Sequence, residues 1–125
     1  MTAPRQPGPG ARPLTVEVRV ADPGVRVVAP VGDLDRDSAP DLRIALLRAI
    51  AGDATTAVVV DCTGLGFCDS SGLNLLLRAR LIAEEQNVEL RLAAVPGQLA
   101  RLLDVAGADQ VFKVDPQAPP EAAAG

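Results

Sequence analysis

The sequence predicts a single α/β domain built on a mixed sheet of four to five strands. Short apolar runs alternate with longer amphipathic stretches, which is the order of strands connected by helices. A short turn joins the first two runs, so an antiparallel hairpin opens the sheet and an all-parallel sheet is not expected. Hydrophobic residues make up 48% of the chain and aromatic residues 2%, so the core has to be aliphatic.

The folded domain is expected to span residues 14–114. Residues 1–13 are rich in Pro, Gly and Arg, and residues 115–125 are rich in Pro and Ala. Such compositions bury too little apolar surface to fold, so both ends are expected to be disordered tails. The region between them has the usual size of one domain.

Strands are predicted where apolar residues alternate with polar ones or run together, at 14–20, 25–31, 57–60, 88–92 and 111–114. The first two form a hairpin through the turn Pro23-Gly24. Pro30 indicates a sheet edge or the end of the second strand, because proline donates no ladder hydrogen bond. The uninterrupted apolar run at 57–60 predicts a central strand buried on both faces. Residues 61–68, with two glycines, are expected to be a loop.

Helices are predicted where apolar residues recur at helical spacing, at 38–52, 70–86 and 96–106. Ser38 is expected to cap the first helix, and Ser70 or Ser71 the second. The second helix carries two apolar stripes, Gly72, Leu75, Leu76, Ala79 and Ala83 in one, and Leu73, Leu77 and Leu81 in the other. The first stripe suffices to pack on the sheet. The second has to meet a neighbouring helix or a partner, and core packing is the commoner outcome.

The composition excludes several kinds of chemistry. The chain has no His, so a Ser-His-Asp triad and a His-containing zinc site are impossible. Its two cysteines, Cys62 and Cys68, are too few for a Cys-only zinc site and are expected to be buried, reduced thiols. No catalytic residue, metal or cofactor is therefore expected.

Charge and hydropathy also limit the partners and the location. The net charge of −4 argues against nucleic acid and against an anionic membrane surface as partners. No apolar run is long enough to cross a bilayer, and the first residues lack the apolar core of a signal peptide. A cytoplasmic protein is expected.

The candidate functional segment is residues 61–73, because it leaves the end of the central strand and enters a helix. Within it, Asp69-Ser70-Ser71-Gly72 places serines at a helix N-terminus, where amide groups and the helix dipole favour an anion. A phosphate on Ser70 would add a charge of about −1.5 to −2 beside Asp69 and repel a docked partner. The alternative is structural: the serines cap the helix and Gly72 aids packing.

Several motifs in this order resemble the STAS domain of anti-sigma factor antagonists: Gly32-Asp33-Leu34-Asp35, Ala39-Pro40-Asp41-Leu42-Arg43, the segment 61–73, and Leu102-Leu103-Asp104-Val105-Ala106-Gly107-Ala108. The resemblance covers residues 14–114 and implies helices packed mainly on one face of the sheet. It implies that the unphosphorylated protein binds an anti-sigma factor that is also a serine kinase with a GHKL-type ATP site. This binding frees the sigma factor. The resemblance further implies that phosphorylation of Ser70 breaks the complex and that a PP2C-type phosphatase resets it.

The resemblance also implies a set of partner-binding residues: Asp33, Asp35, Asp69, Ser71, Gly72, Leu73 and Asn74. Asp35 and Asp69 match the acidic residues near the phosphoacceptor. The chain departs from the family pattern at Cys62-Thr63, where Leu-Ser is common, at Cys68, where a larger aliphatic residue is usual, and at Asn74, where Gly is frequent. These departures bear on which partner is bound.

Two other functions compete with this one. The first is a STAS scaffold or accessory subunit of a larger complex, such as a lipid transporter, without phosphorylation; the intact Asp69-Ser70-Ser71 disfavours it. The second is an enzyme that uses Ser70 as a nucleophile. The absence of His, of a Gly-rich phosphate loop and of a metal cluster in the sequence argues against an enzyme.

Overall fold

Six strands form one mixed sheet in the computed structural model, which describes residues 12–122. In chain order the elements are β1 (Thr15–Asp22), β2 (Val25–Leu34), α1 (Ala39–Ile50), β3 (Ala57–Asp61), β4 (Leu65–Cys68), α2 (Ser70–Glu85), β5 (Glu89–Ala93), α3 (Gly97–Val105) and β6 (Lys113–Asp115). The single mixed α/β domain is confirmed, and its sheet has one strand, β4, more than the four to five predicted. The predicted disorder of residues 1–11 and of residues 123–125 lies outside the described residues.

The strands follow the order β1-β2-β3-β5-β6, and β4 pairs with β2 away from this path. β1 and β2 are antiparallel, which confirms the predicted hairpin. The pairs β2–β3, β3–β5 and β5–β6 are parallel, with α2 and α3 forming the last two crossovers. β3 lies in the middle of the sheet, and its residues Val58, Val59 and Val60 are buried as predicted.

Residues 61–68 are not all loop, as the sequence predicts, because Leu65–Cys68 forms the short strand β4. β4 pairs with residues 32–34, so β2 extends to Leu34 instead of ending at residue 31. Pro30 is consequently inside a strand, neither at an edge nor at an end. It lies between Val28, the last β2 residue paired with β3, and Gly32, the first paired with β4. A residue without an N–H is tolerated where the strand changes its partner.

The three helices pack on one face of the sheet and form the main core with it. Along α2 the first apolar stripe is buried throughout. The second stripe divides, since Leu73 is buried, Leu77 is partly buried against the core and Leu81 is 55% exposed. Within residues 12–122 no helix has the length and apolar character needed to cross a bilayer.

The opposite face of the sheet carries a smaller apolar cluster of Ala21, Val27, Val59 and Ala93. Residues 116–122, which the sequence predicts as part of a disordered tail, lie against this side. Ala118 packs on the cluster, Arg19 Nη2 donates to Pro119 O at 2.8 Å, and Ala122 N donates to Val20 O at 3.0 Å. The segment covers apolar surface that the helices leave exposed, a role that Pro/Ala-rich composition does not indicate.

Candidate functional site at the start of the second helix

Asp69 caps α2, rather than Ser70 or Ser71 as the sequence predicts. Its backbone is extended, with φ −96° and ψ −175°, and its Oδ1 accepts a hydrogen bond from Gly72 N at 3.0 Å. Ser70 is the first helical residue and is exposed, while Ser71 is partly buried. Within residues 12–122 neither serine hydroxyl makes a hydrogen bond. Because the Asp69 carboxylate caps the helix, the Ser70 hydroxyl is available to another molecule.

Gly72 fixes the position of this helix start. A Cβ atom on Gly72 would lie 2.7 Å from Cys68 Sγ and 2.7 Å from Leu34 Cγ. Gly72 therefore lets the chain's own core pack closely against the start of the helix. A side chain at residue 72 would push α2 away from the ends of β2 and β4. Leu73, 5% exposed, also faces the core.

Gln98, at the start of α3, braces the residue that precedes Asp69. Its Oε1 accepts a hydrogen bond from Cys68 N at 2.9 Å, and its Nε2 donates to Cys68 O at 2.8 Å. Asp69 N in turn donates to Leu34 O at 3.1 Å. The backbone entering α2 is thus held from two sides. Sequence reasoning missed Gln98, because a single glutamine in an amphipathic helix carries no signal of such a contact.

The loop before α1 is closed by Asp35 and Ser38. The Asp35 carboxylate accepts hydrogen bonds from Asp37 N at 3.0 Å and from Ser38 N at 2.9 Å. The Ser38 hydroxyl accepts from Asp35 N at 3.0 Å and donates to Asp33 O at 2.9 Å. Ser38 occupies the predicted N-cap position, but its side chain makes no hydrogen bond to the first turn of α1. The predicted capping hydrogen bond is therefore wrong. The hydroxyl closes the loop instead.

These contacts keep Asp35 negatively charged. The backbone hydrogen bond from Ser38 is the largest cause that lowers the pKa of the Asp35 carboxyl, and the Ser38 side chain adds to it. Burial acts in the opposite direction but does not prevail. Because Asp35 is only partly buried, its negative charge can interact electrostatically with a molecule that docks at this end of the sheet.

Asp33 is covered, since its side chain is only 4% exposed. Arg12 N donates to its Oδ2 at 3.0 Å, and Arg12 Nε lies 3.8 Å from its Oδ1. β4 also lies close to this carboxylate, since a Cβ atom on Gly66 would be 2.7 Å from Asp33 Oδ1. In this arrangement Asp33 holds residue 12 and β4 together and presents no carboxylate to a partner.

The predicted partner-binding residues therefore divide into two groups. Asp33, Gly72 and Leu73 are buried. The surface group is partly or fully exposed and comprises Asp35, Asp69, Ser71 and Asn74.

Cys62 and Cys68 are both free and buried, which confirms the prediction of two buried, reduced thiols. Burial is the largest cause that raises the pKa of each thiol to about 12, with nearby aspartates adding to the effect. Both are therefore neutral at physiological pH and unsuited to act as nucleophiles.

The fold and the helix start agree with a known family, whose model, described as "Mlab, STAS domain", matches residues 18–115. The chain belongs to the STAS-domain family. The family predicted from the motifs is confirmed, and with it the placement of the helices on one face of the sheet.

Individual relatives give the same result. An anti-sigma F factor antagonist from Paenibacillus polymyxa is 30% identical over 93 residues, which cover 74% of this chain and 77% of that protein. The crystal structure of an anti-sigma factor antagonist from Mycobacterium paratuberculosis is 28% identical, with a TM-score of 0.75 over 84% of this chain and 87% of that one. The Bacillus cell fate determinant SpoIIAA in its phosphorylated form shares the fold, with a TM-score of 0.64 and 20% identity over 80% of this chain and 90% of that one.

Proposed function

We propose that this STAS domain is an anti-sigma factor antagonist controlled by phosphorylation of Ser70. Unphosphorylated, it binds a cytoplasmic anti-sigma factor that is also a serine kinase with a GHKL-type ATP site, and so frees the sigma factor. Phosphorylated, it releases that partner until a PP2C-type phosphatase removes the phosphate. The observation that carries the proposal is that the Ser70 hydroxyl is exposed, because Asp69 and not Ser70 caps the helix. The antagonists from Paenibacillus and Mycobacterium support the choice of partner class.

The helix start accommodates a phosphate without refolding. A phosphate on the first helical residue lies at the positive end of the helix dipole, which stabilises an anion. It adds a charge of about −1.5 to −2 next to the Asp69 carboxylate. A partner that packs flat on this surface, shaped for the unmodified serine, would have to desolvate the phosphate and would dissociate.

The proposal assigns direct contacts only to the surface group of Asp35, Asp69, Ser71 and Asn74. Gly72 and Leu73 act by positioning α2 on the core, since a Cβ atom at residue 72 would collide with Cys68 and Leu34. Asp33 holds the chain near Arg12 against β2.

Phosphate-affinity electrophoresis after incubation with ATP and the host's candidate kinases tests the acceptor. We expect one shifted band in the wild type and in Ser71→Ala, and none in Ser70→Ala. Mass spectrometry of the shifted band should place the phosphate on residue 70. The absence of a shift with every kinase of the host would contradict the proposal.

Partner binding is tested by pull-down with the cognate anti-sigma factor in the presence of ATP. Ser70→Ala should stay bound, because it cannot be switched off, whereas Ser70→Asp should bind more weakly because of its added charge. Equal binding by the two variants would defeat the electrostatic mechanism.

A second candidate is a scaffold or accessory subunit of a larger complex, and the family model named for Mlab favours it. In that case Ser70 would carry no phosphate in cells. The protein would co-purify with a larger assembly, equally well for Ser70→Ala and Ser70→Asp.

A further inference from the structure

A groove with a volume of about 400 Å³ runs between α1 and α2, along the side of the domain next to the proposed partner surface. Its floor is apolar and comes from both helices, mainly from Leu47, Leu75, Ala79 and Ile82. Small residues on the floor deepen the valley that two packed helices leave between them. Ser71 and Asn74 contribute polar groups to its wall.

Three arginines from different segments surround this floor: Arg36 from the loop before α1, Arg43 from α1 and Arg78 from α2. All three are exposed, and in the described part of the chain none takes part in an ion pair. Arg80, which lies on α2 but does not line the groove, differs in this respect, because its Nη2 lies 2.9 Å from Glu84 Oε1. No Asp or Glu lines the groove among the described residues, although the whole chain has a net charge of −4.

We propose that this groove binds a small amphiphilic anion, a single alkyl chain that carries a phosphate or carboxylate headgroup. Its volume of about 400 Å³ lies within the usual range of small-molecule sites, about 300–1,000 Å³. The apolar floor suits the alkyl chain. Guanidinium groups bind phosphate and carboxylate through paired, charge-assisted hydrogen bonds, which the three exposed arginines can supply.

A protein helix fits this site less well than an alkyl chain. An α-helix with its side chains is about 10–12 Å across, so a groove of about 400 Å³ can admit single side chains of a helix but not the helix itself. An alkyl chain can instead lie along the apolar floor to which Leu47 and Ile82 contribute. The headgroup then lies among the arginines, close to the hydroxyl of Ser71 and the amide of Asn74.

Titration of the isotope-labelled full chain with monododecyl phosphate below its micelle concentration, followed by amide chemical shifts, tests the proposal. We expect saturable shifts at residues of α1 and α2 that face the groove, such as Leu47 and Ala79. Inorganic phosphate, which offers the headgroup alone, and dodecyl maltoside, which offers the chain on a neutral headgroup, should each bind at least about tenfold more weakly.

Arginine variants supply the matched comparison. Arg43→Gln and Arg78→Gln should each weaken monododecyl phosphate binding about tenfold, because each removes one charge-assisted contact. Arg48→Gln removes an exposed arginine of α1 that does not line the groove, so it should bind like the wild type. Ser70→Ala should also bind normally, which separates this proposal from the function of the phosphorylation site.

Four outcomes would overturn the proposal: no saturable binding, equal affinity for dodecyl maltoside, equal losses in Arg43→Gln and Arg48→Gln, or shifts confined to the opposite face of the sheet. Two further titrations, with an acidic amphipathic peptide and with phosphatidylglycerol vesicles, test whether the groove binds a protein or a membrane instead. Groove shifts with an acidic amphipathic peptide but not with monododecyl phosphate would assign the site to a protein. Binding only to phosphatidylglycerol vesicles would assign it to a membrane surface.

Discussion

The starts of α1 and α2 use an aspartate and a serine in opposite ways. Before α1, the Ser38 hydroxyl accepts a hydrogen bond from Asp35 N at 3.0 Å and donates to Asp33 O at 2.9 Å. Before α2, the Asp69 carboxylate caps the helix, and within residues 12–122 the exposed Ser70 hydroxyl makes no hydrogen bond. The Ser38 hydroxyl is thus used in hydrogen bonds within the fold, whereas the Ser70 hydroxyl is exposed to solvent. The position of the aspartate relative to the first helical residue makes the difference.

The exposed Ser70 hydroxyl depends on a rigidly held start of α2, and Gly72→Ala should disturb this helix start most strongly. The added Cβ would lie 2.7 Å from Cys68 Sγ and from Leu34 Cγ. Overpacking costs about 1–3 kcal/mol, and the better helix propensity of Ala recovers up to about 1 kcal/mol. We expect the free energy of unfolding to fall by about 1–2 kcal/mol in urea denaturation.

Gly97→Ala is the control, because a Cβ atom at this first residue of α3 has no heavy atom within 4 Å. That variant should keep its stability or gain about 0.5 kcal/mol. A gain of the same size in both glycine variants would show that the contacts at Gly72 are not tight.

Ser38→Ala and Ser70→Ala test the different roles of the two serine hydroxyls. Ser38→Ala leaves Asp35 N and Asp33 O without their partner in a partly buried loop and should destabilise the protein by about 1 kcal/mol. Ser70→Ala removes no hydrogen bond within the described residues and should change stability by less than about 0.5 kcal/mol. Thermal unfolding of the two unphosphorylated variants measures the difference. Equal losses would mean that both hydroxyls are structural.

Patterns that extend over many residues were predictable from the sequence, and single contacts were not. The uninterrupted valines of β3 and the buried stripe of α2 lie where periodicity places them. β4 was missed because four residues that include Gly66 show no period, and its existence depends on pairing with residues 32–34. Pro30 was misassigned for the same reason.

At the candidate site the residue types were predictable but their roles were not. Asp and Ser are both good N-cap residues, so a shift of one residue decides whether Asp69 or Ser70 caps α2. The burial of Asp33 depends on Arg12, which lies 21 residues away in the chain. The brace formed by Gln98 spans 30 residues. No local pattern encodes such contacts, because they exist only once the sheet has assembled.

The smallest expected effect concerns the charge at the start of α1. Hydrogen bonds from Ser38 and Asp37 lower the pKa of Asp35 in the folded protein. A carboxyl with a lowered folded pKa adds stability that is present above its unfolded pKa, about 3.9, and is lost as the pH falls through the folded value. Asp35→Asn should therefore reduce the loss of stability between neutral pH and about pH 2.

Glu89 and Asp115 also have lowered pKa values, mainly through hydrogen bonds from Arg91, so the wild type loses stability in acid for more than one reason. The contribution of the Asp35 loop is therefore the difference between the acid-induced losses of stability of the wild type and of Asp35→Asn. Urea denaturation of both at several pH values measures it. Parallel pH curves would show that the loop bonds do not depend on the charge of Asp35. Ser38 alone would then hold the start of α1, and the contrast with Asp69, whose carboxylate forms the cap of α2, would be sharper.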